Sequence, residues 1–403
     1  MSPSWTKIDD AIAQLLADAR LVVESESVDL LSSLGRVLAA DVMAKVSVPP
    51  FDNSAMDGYA VRIEDMQDGN GLPVTQRIAA GSVGSPLLVG EAARIFTGAP
   101  VPEGADAILM QENAEFDGSL LKTQSVPKRH QNIRRAGQDI VIGDIVFAAG
   151  HRIQPQDLGV LASVGVATLS VRRRLKVAVL STGDELREPG DTLNPGEIFN
   201  SNRYTLNGLL QQFDIDIVDL GICRDTAEHT EELLRSAAQQ ADVIVSSGGV
   251  SVGEEDHVKA VVEQLGELKL WKLAIKPGKP LAYGKVLGVP FLGLPGNPAA
   301  VFVTFGLIVK PYLLRMLGVD DVTPLIVQLP AAFNITKEGR RQEYQRAKVV
   351  AKNGKSGVEI YANQSSGVLS SASWANCLAV IPAGKTIAQG DLVDVMLLDN
   401  LMG

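Results

Sequence analysis

Leu175-Lys-Val-Ala-Val-Leu-Ser-Thr-Gly-Asp-Glu-Leu186 is an apolar run that ends in a glycine and two acids. Two later stretches repeat the form: Val243-Ile-Val-Ser-Ser-Gly-Gly-Val-Ser-Val-Gly253 and Phe291-Leu-Gly-Leu-Pro-Gly-Asn-Pro298. Strands buried on both faces of a parallel sheet read as continuous apolar runs rather than alternating ones. In an open α/β sheet, ligands sit beyond the carboxyl ends of the strands. One site is therefore expected to collect Asp184, Glu185, the 247–253 loop and the 294–298 turn. Acids beside a glycine cradle suggest a phosphorylated ligand held with a metal ion.

Outward from this core, strands and helices alternate from Leu175 to about Gly318. That predicts a doubly wound, mostly parallel α/β sheet over 172–318, with helices near Ser201–Phe213, Thr226–Gln240, Glu255–Leu265 and Ala299–Leu317. Residues 1–45 read as helical, with Ile8, Ala11, Leu15 and Leu16 on one face, Thr6 as the cap, and a continuation over Val28–Ala40. Helix resumes at Gln154–Leu161, followed by an extended Val166–Val171. Together 1–45 and 138–171 form a helical first domain. Prolines, glycines and short apolar runs over 46–137 predict a β-rich second domain inserted into it. Runs at Leu325–Leu329, Glu343–Val350, Val358–Tyr361, Leu378–Ile381 and Leu392–Leu397 predict a C-terminal β-barrel-like domain over 319–403.

With 403 residues, two to four domains are expected. A net charge of -10 argues against nucleic acid as the main partner. Cys223 and Cys377 form no CxxC pattern, and His130, His151, His229 and His257 lack metal-ligand spacing. Any metal is then expected to be hard and oxygen-bound. The long apolar stretch Ala299–Leu317 is broken by Lys310 and Pro311 and reads as a core helix, not a membrane span. No signal peptide is legible, so a soluble cytoplasmic chain is expected.

The loop Ser247, Gly248, Gly249, Ser251, Gly253 lets a phosphate approach backbone N–H groups at a helix N-terminus, though a tight strand-to-helix turn would use the same glycines. Glu254, Glu255 and Asp256 follow it; they suit a helix start, and they would also repel a bound phosphate unless a cation such as Mg²⁺ intervened. Glu185 and Asp225 end two other strands, and acids from three strand ends exceed what turns need. Lys272, Lys276 and Lys279 fall in Trp271–Pro280, where Pro277 and Pro280 stiffen the chain; compact ammonium charges suit tetrahedral oxyanions, and a solvated turn would look alike. Pro49-Pro-Phe-Asp-Asn-Ser-Ala-Met-Asp-Gly-Tyr-Ala-Val61 sets Asp52 and Asp57 in a polar loop that does nothing for a core.

Six segments, these five and one more, resemble in their order the molybdopterin molybdotransferase family, the MoeA-like proteins also represented by one domain of gephyrin. They are 49–60, Phe-Thr-Gly-Ala-Pro at 96–100, 181–186, 247–253, Lys-Pro-Gly-Lys-Pro at 276–280 and 294–298. The resemblance runs from about residue 7 to 400. It implies a homodimer of four-domain subunits with a site between the α/β domain of one subunit and the β-rich domain of the other. The implied reaction joins molybdate to adenylylated molybdopterin and releases AMP, with Mg²⁺; the molybdopterin adenylyltransferase is an implied further partner. Family acids fall on Asp57, Asp139, Glu185, Asp225 and Asp256, the last three as the Mg²⁺ set. Thr97 and Arg134 match the second domain. Lys272, Lys276, Pro295, Pro298, Arg346 and Ser366 match substrate-binding positions, with Lys279 adjacent. The alternatives are the adenylyltransferase itself, which needs neither 1–170 nor the C-terminal domain, and a gephyrin-like scaffold.

Overall fold

Leu175, Val177–Leu180 and Val243–Val245 are all buried, which is why these runs show no alternation. The computed structural model describes residues 5–22, 24–67, 70–249, 257–352 and 354–402. Its described residues fall into two compact units: 1–26, 35–39 and 172–403 in one, 27–34 and 40–171 in the other.

The first unit is built on a six-stranded sheet. Its elements are β1 Lys176–Thr182, α1 Ser201–Leu210, β2 Asp216–Cys223, α2 Ala227–Gln240, β3 Val243–Ser247, α3 His257–Leu265, β4 Gly266–Lys272, β5 Pro280–Val286 and β6 Val289–Leu294. The order is β2-β1-β3-β6-β5-β4. β1 runs parallel to β2 and β3, and β3 to β6, so the loops after β1, β3 and β6 emerge at one edge. β5 and β4 add an antiparallel pair, Gly266↔Val286 through Lys272↔Pro280. Trp271 and Lys272 end β4, so the alternative of a solvated turn over Trp271–Pro280 does not hold for its first two residues. Glu267-Leu-Lys-Leu270 alternates polar and apolar, but the pattern is short and shallow on this edge strand: Leu268 is half-buried and Leu270 exposed.

Helices cover the sheet as the sequence predicts. Thr226 caps α2 by accepting the His229 N–H, and Asn200 caps α1 by accepting that of Arg203. A 19-residue helix, Pro298–Met316, is long and apolar enough to cross a membrane, but 83% of its most apolar window is buried inside the protein. It contains one wide turn, Phe305–Val309, where the Lys310 N–H reaches back to Phe305 O. Pro311 follows and has no N–H to continue the regular ladder.

The C-terminal sheet has the order Ile275–Lys276, Gln342–Lys352, Cys377–Ile381, Leu392–Leu397, Ile326–Pro330, with Lys355–Ile360 also on Gln342–Lys352. Ile275–Lys276 pairs parallel with Gln342–Glu343, tying the lysine segment to this sheet. In the second unit the central sheet runs Ala107–Met110, Gly58–Val61, Ala92–Ile95, Leu72–Ile78, Leu120–Lys122, Glu115–Phe116.

The N-terminal helix is shorter than expected. It spans Ile8–Asp18 and buries Ile8, Ala11 and Leu15. Thr6 is not its cap: Lys7 holds that position, and the Thr6 N–H donates to Lys272 O at 2.9 Å. The Val28–Ala40 helix is also corrected. Val28 and Asp29 end a strand, Leu30–Ser33 make one 3₁₀ turn, and Gly35 sits at φ 79°. Leu31 and Leu34 face solvent, so their spacing marks no buried helical stripe. Helix Pro155–Ser163 is as expected, held by a capping box between Gln154 and Asp157.

Asp242, just before β3, accepts bonds from both Arg173 terminal nitrogens at 2.7 Å and from the Lys176 N–H at 2.8 Å. Burial pushes its carboxyl up, but the Arg173 and Lys176 bonds and the Arg173 charge outweigh this and hold it below the usual carboxylate range. A depressed folded pKa stabilises above the unfolded value of about 3.9 and is lost as pH falls through the folded value. Asp242→Asn should therefore cost about 1–3 kcal/mol at pH 7. That deficit should shrink as the pH is lowered below about 3.9 towards the folded-state pKa. Urea melts of both proteins from pH 7 to 2.5 check it; a gap independent of pH would show that the carboxylate charge contributes nothing.

Candidate functional site

The loops after β1, β2, β3 and β6 meet the lysine segment and the 364–366 loop around a cavity of about 960 Å³. Glu185, Asp225, Ser247, Gly248, Gly249, Lys276, Lys279, Pro295, Pro298 and Ser366 all form its wall. Lys272 lies in β4, and neither it nor Arg346 is part of that wall. Asp256, Ser251 and Gly253 lie outside the described residues.

Each wall segment has a local cause. Gly248 is at φ 86°, and a Cβ there would come within 2.7 Å of Thr182 O; at Gly249, φ 64°, a Cβ would meet Val258 Cγ2 at 2.6 Å. Both the conformation and the close packing demand glycine. The Gly248 N–H donates to Leu294 O at 3.1 Å, which joins this loop to the 294–298 turn. Ser247 and Ser181 hydroxyls bond at 3.1 Å across β3 and β1. Asp184, expected in the site, is not on the wall: its Oδ1 accepts the Asp225 N–H at 3.0 Å and so positions Asp225. Glu185 and Asp225 have no ion pair among the described residues.

Positive charge comes from the other side of the sequence. Lys276 Nζ lies 3.1 Å from Glu343 Oε1, and Lys279 Nζ stands 5.6 Å over the Trp5 ring. Arg341, which sequence reasoning missed, also lines the cavity; it donates to Ile275 O at 3.0 Å and stacks over Trp5 at 5.5 Å. Equally missed were Ile198, Phe199, Asn200, Ser201 and Asn202 of the wall. The Gly-Glu-Ile-Phe-Asn run before α1 was the signal available.

Arg346 was expected to touch substrate. It is 1% exposed, with Nε donating to Ser371 Oγ at 2.9 Å and Nη2 to Ser365 O at 3.1 Å. It stands behind the 364–366 loop rather than on the wall.

In the second unit, the Thr97 N–H and hydroxyl both donate to Asp57 Oδ1 at 2.8 Å. The Thr97 backbone bond, then its hydroxyl, hold the Asp57 carboxyl below its usual range, with burial opposing and Arg94 adding. Asp52 accepts the Ala136 N–H at 2.8 Å and pairs with Arg135. Arg134 is registered against Asn53, and the Asp139 N–H donates to Val48 O at 2.9 Å.

Residues 6–165 match the model of the MoeA N-terminal region, domains I and II. Residues 178–315 match a probable molybdopterin binding domain, and 328–398 the MoeA C-terminal region, domain IV. A molybdopterin molybdenumtransferase of Haemophilus influenzae is 38% identical, over 98% of this chain and 99% of that protein. The chain belongs to the MoeA family. A molybdopterin molybdenumtransferase of a Nostoc strain is 35% identical over 93% of this chain and 88% of its own. The crystal structure of the molybdopterin biosynthesis moeA protein from Pyrococcus horikoshii OT3 superposes with a TM-score of 0.83 at 29% identity, over 98% of this chain and all of that one. The fold is thus the multidomain MoeA fold, with a molybdopterin-binding α/β domain between family-specific N- and C-terminal regions.

Proposed function

We propose that this chain is a molybdopterin molybdenumtransferase that takes adenylylated molybdopterin and molybdate, breaks the phosphoanhydride, and releases AMP and molybdenum cofactor. The observation that carries the reading is the cavity wall, where two strand-end carboxylates, a glycine cradle and three cationic side chains surround one space. Gly248 and Gly249 allow phosphate oxygens to approach backbone that no Cβ shields. Lys276, Lys279 and Arg341 supply charge for phosphate and for molybdate, itself an oxyanion. Family similarity at 6–165 and 328–398 lies outside the α/β domain, which disfavours the adenylyltransferase alternative. Homodimeric assembly and a cytoplasmic setting belong to the same proposal; both cysteines are free and buried.

Glu185 and Asp225 fit a hard cation: both are oxygen donors on one wall, with no cationic partner among the described residues. Asp256 would complete the proposed set. Bound there, Mg²⁺ would offset negative charge on the phosphate oxygens. The carboxylates themselves would hold that ion and keep the anhydride oriented for attack. AMP release should depend on added Mg²⁺ and collapse in EDTA. Full activity in EDTA would remove Mg²⁺ from the proposal, while no AMP release from adenylylated molybdopterin under any condition would remove the transfer reaction.

A further inference from the structure

Trp5 is 49% exposed, yet the residue after it is fixed on the lysine segment. The Thr6 N–H donates to Lys272 O at 2.9 Å, and Thr6 O accepts the Ala274 N–H at 2.8 Å. Thr6 thus forms a parallel bridge beside Leu273, at the start of the stretch that carries Lys276 and Lys279. The Leu273 N–H donates to Lys279 O at 2.8 Å and closes that stretch on itself. Ala274 O accepts the Gln342 N–H at 3.0 Å, and Ile275 is registered against Gln342. Backbone bonds therefore hold together three stretches that lie far apart in the chain: 5–6, 272–279 and 341–343.

The Trp5 ring then meets two cations. Lys279 Nζ stands 5.6 Å and Arg341 Cζ 5.5 Å from its centroid, both within the range at which a cation is attracted to an aromatic face. Both cations line the cavity, and Trp5 does not. The kind of partner matters here. Lys276 faces the Glu343 carboxylate at 3.1 Å, which orders its ammonium and offsets its charge at once. A ring orders a cation without neutralising it and takes up none of its strong hydrogen-bond donors. Lys279 has no carboxylate partner among the described residues, and Arg341 gives one N–H to Ile275 O at 3.0 Å. Their remaining donors are left for an anion. Two like charges on one wall also repel, and a common ring offsets part of that repulsion.

We propose that Trp5 is a positioning residue for the anion site: its ring presets Lys279 and Arg341 at the cavity wall with their charge intact. Side chains ordered in advance lose less freedom when a phosphate or molybdate binds, and that difference appears as affinity. Because Trp5 is not on the wall, its effect falls on binding and not on the chemical step. This rests on the transfer reaction above, which brings such anions to these two cations.

The test is calorimetric titration of the full chain with AMP, alongside steady-state cofactor formation from adenylylated molybdopterin. Trp5→Leu keeps an apolar side chain and removes the ring; it should weaken AMP roughly fivefold. Trp5→Phe keeps a ring face and should stay within about twofold of the native chain. KM for adenylylated molybdopterin should rise in step with the AMP loss while kcat holds. The loss should also run through the cations. In a Lys279→Met background, where one of the two is gone, Trp5→Leu should cost only about twofold, in AMP affinity and in KM alike. Urea melts of Trp5→Leu and Trp5→Phe should match the native chain, since half of the side chain already faces water. Equal losses in the leucine and phenylalanine variants, an undiminished loss in the Lys279→Met background, or an early melt of Trp5→Leu would make Trp5 a packing residue and overturn the proposal. Native transfer activity with unaltered AMP affinity and KM in Trp5→Leu sinks the positioning role alone. The expected AMP losses in a chain that forms no cofactor sink the transfer reaction alone, and a native chain that neither binds AMP nor forms cofactor sinks both.

Discussion

Glu185→Gln should lower the rate of AMP release by about a hundredfold or more while leaving the folded state almost untouched. The side chain is exposed on the cavity wall and makes no ion pair among the described residues, so its structural contribution is small. Exposed substitutions away from caps and networks usually change stability by no more than about 0.5 kcal/mol. Its backbone is a different matter: the Glu185 carbonyl accepts the Ile198 N–H at 2.8 Å, and glutamine preserves that bond. Chemically the change is large. A carboxylate can hold a divalent ion or take a proton, whereas an amide of the same shape does neither well; positioned acid–base or metal-holding groups contribute roughly 10²–10⁴-fold. Urea melts and single-turnover AMP release on the same preparation separate the two effects. A variant with native rates would show that the strand-end acid is only turn chemistry. One that unfolds would show that Glu185 has a structural partner in the folded chain.

The residues on either side of Glu185 illustrate what the sequence can and cannot disclose. The runs before 181, 247 and 294 were legible because strands buried on both faces cannot alternate, and the five C-terminal runs each became a strand displaced by at most a few residues. Legibility failed where the deciding contact lies far along the chain or where apolar spacing faces water. Val28–Ala40 has helical spacing, yet Leu31 and Leu34 are exposed and Gly35 adopts a left-handed conformation. β4 is an edge strand whose alternation, Glu267-Leu-Lys-Leu270, is brief and only half-buried, and its pairing with β5 is what sets its length. Asp184 and Glu185 are adjacent acids with the same composition signal. Only the 3.0 Å bond to the Asp225 N–H, 41 residues away, makes the first a support and leaves the second on the wall.

The same distinction governs Arg346, where the expected result is a split between stability and function. Its guanidinium is buried in the C-terminal sheet, and burial pushes its pKa down with Glu343 opposing, though arginine stays charged throughout the accessible range. Side chain and backbone act together on one loop. Beyond the Ser371 and Ser365 bonds, the Arg346 N–H donates to Gln364 Oε1 at 3.0 Å, and its carbonyl accepts from Gln364 Nε2 at 2.8 Å. Ser366 O in turn accepts the Ala299 N–H at 3.0 Å, at the start of the helix that closes the cavity. Arg346→Ala leaves a void and takes one partner from each of the Ser365 carbonyl, which keeps the Val368 N–H at 3.2 Å, and the Ser371 hydroxyl, which keeps the Val368 carbonyl at 2.6 Å; it should cost about 2–5 kcal/mol, mostly through the void. Arg346→Met refills most of the volume without a buried charge, and apolar replacements of this kind are often near neutral. It should therefore recover most of the lost stability and yet fail to recover function, because a thioether cannot hold the Ser365 carbonyl and the wall at 364–366 is released. A raised KM for adenylylated molybdopterin with a much smaller change in kcat is the signature of that release, since the loop shapes the cavity and carries none of the acids. Urea melts and steady-state kinetics of both variants measure it. A methionine variant that is stable and kinetically native would make Arg346 a packing residue only, and an alanine variant within about 1 kcal/mol of the native chain would show that the buried guanidinium is not holding the loop at all.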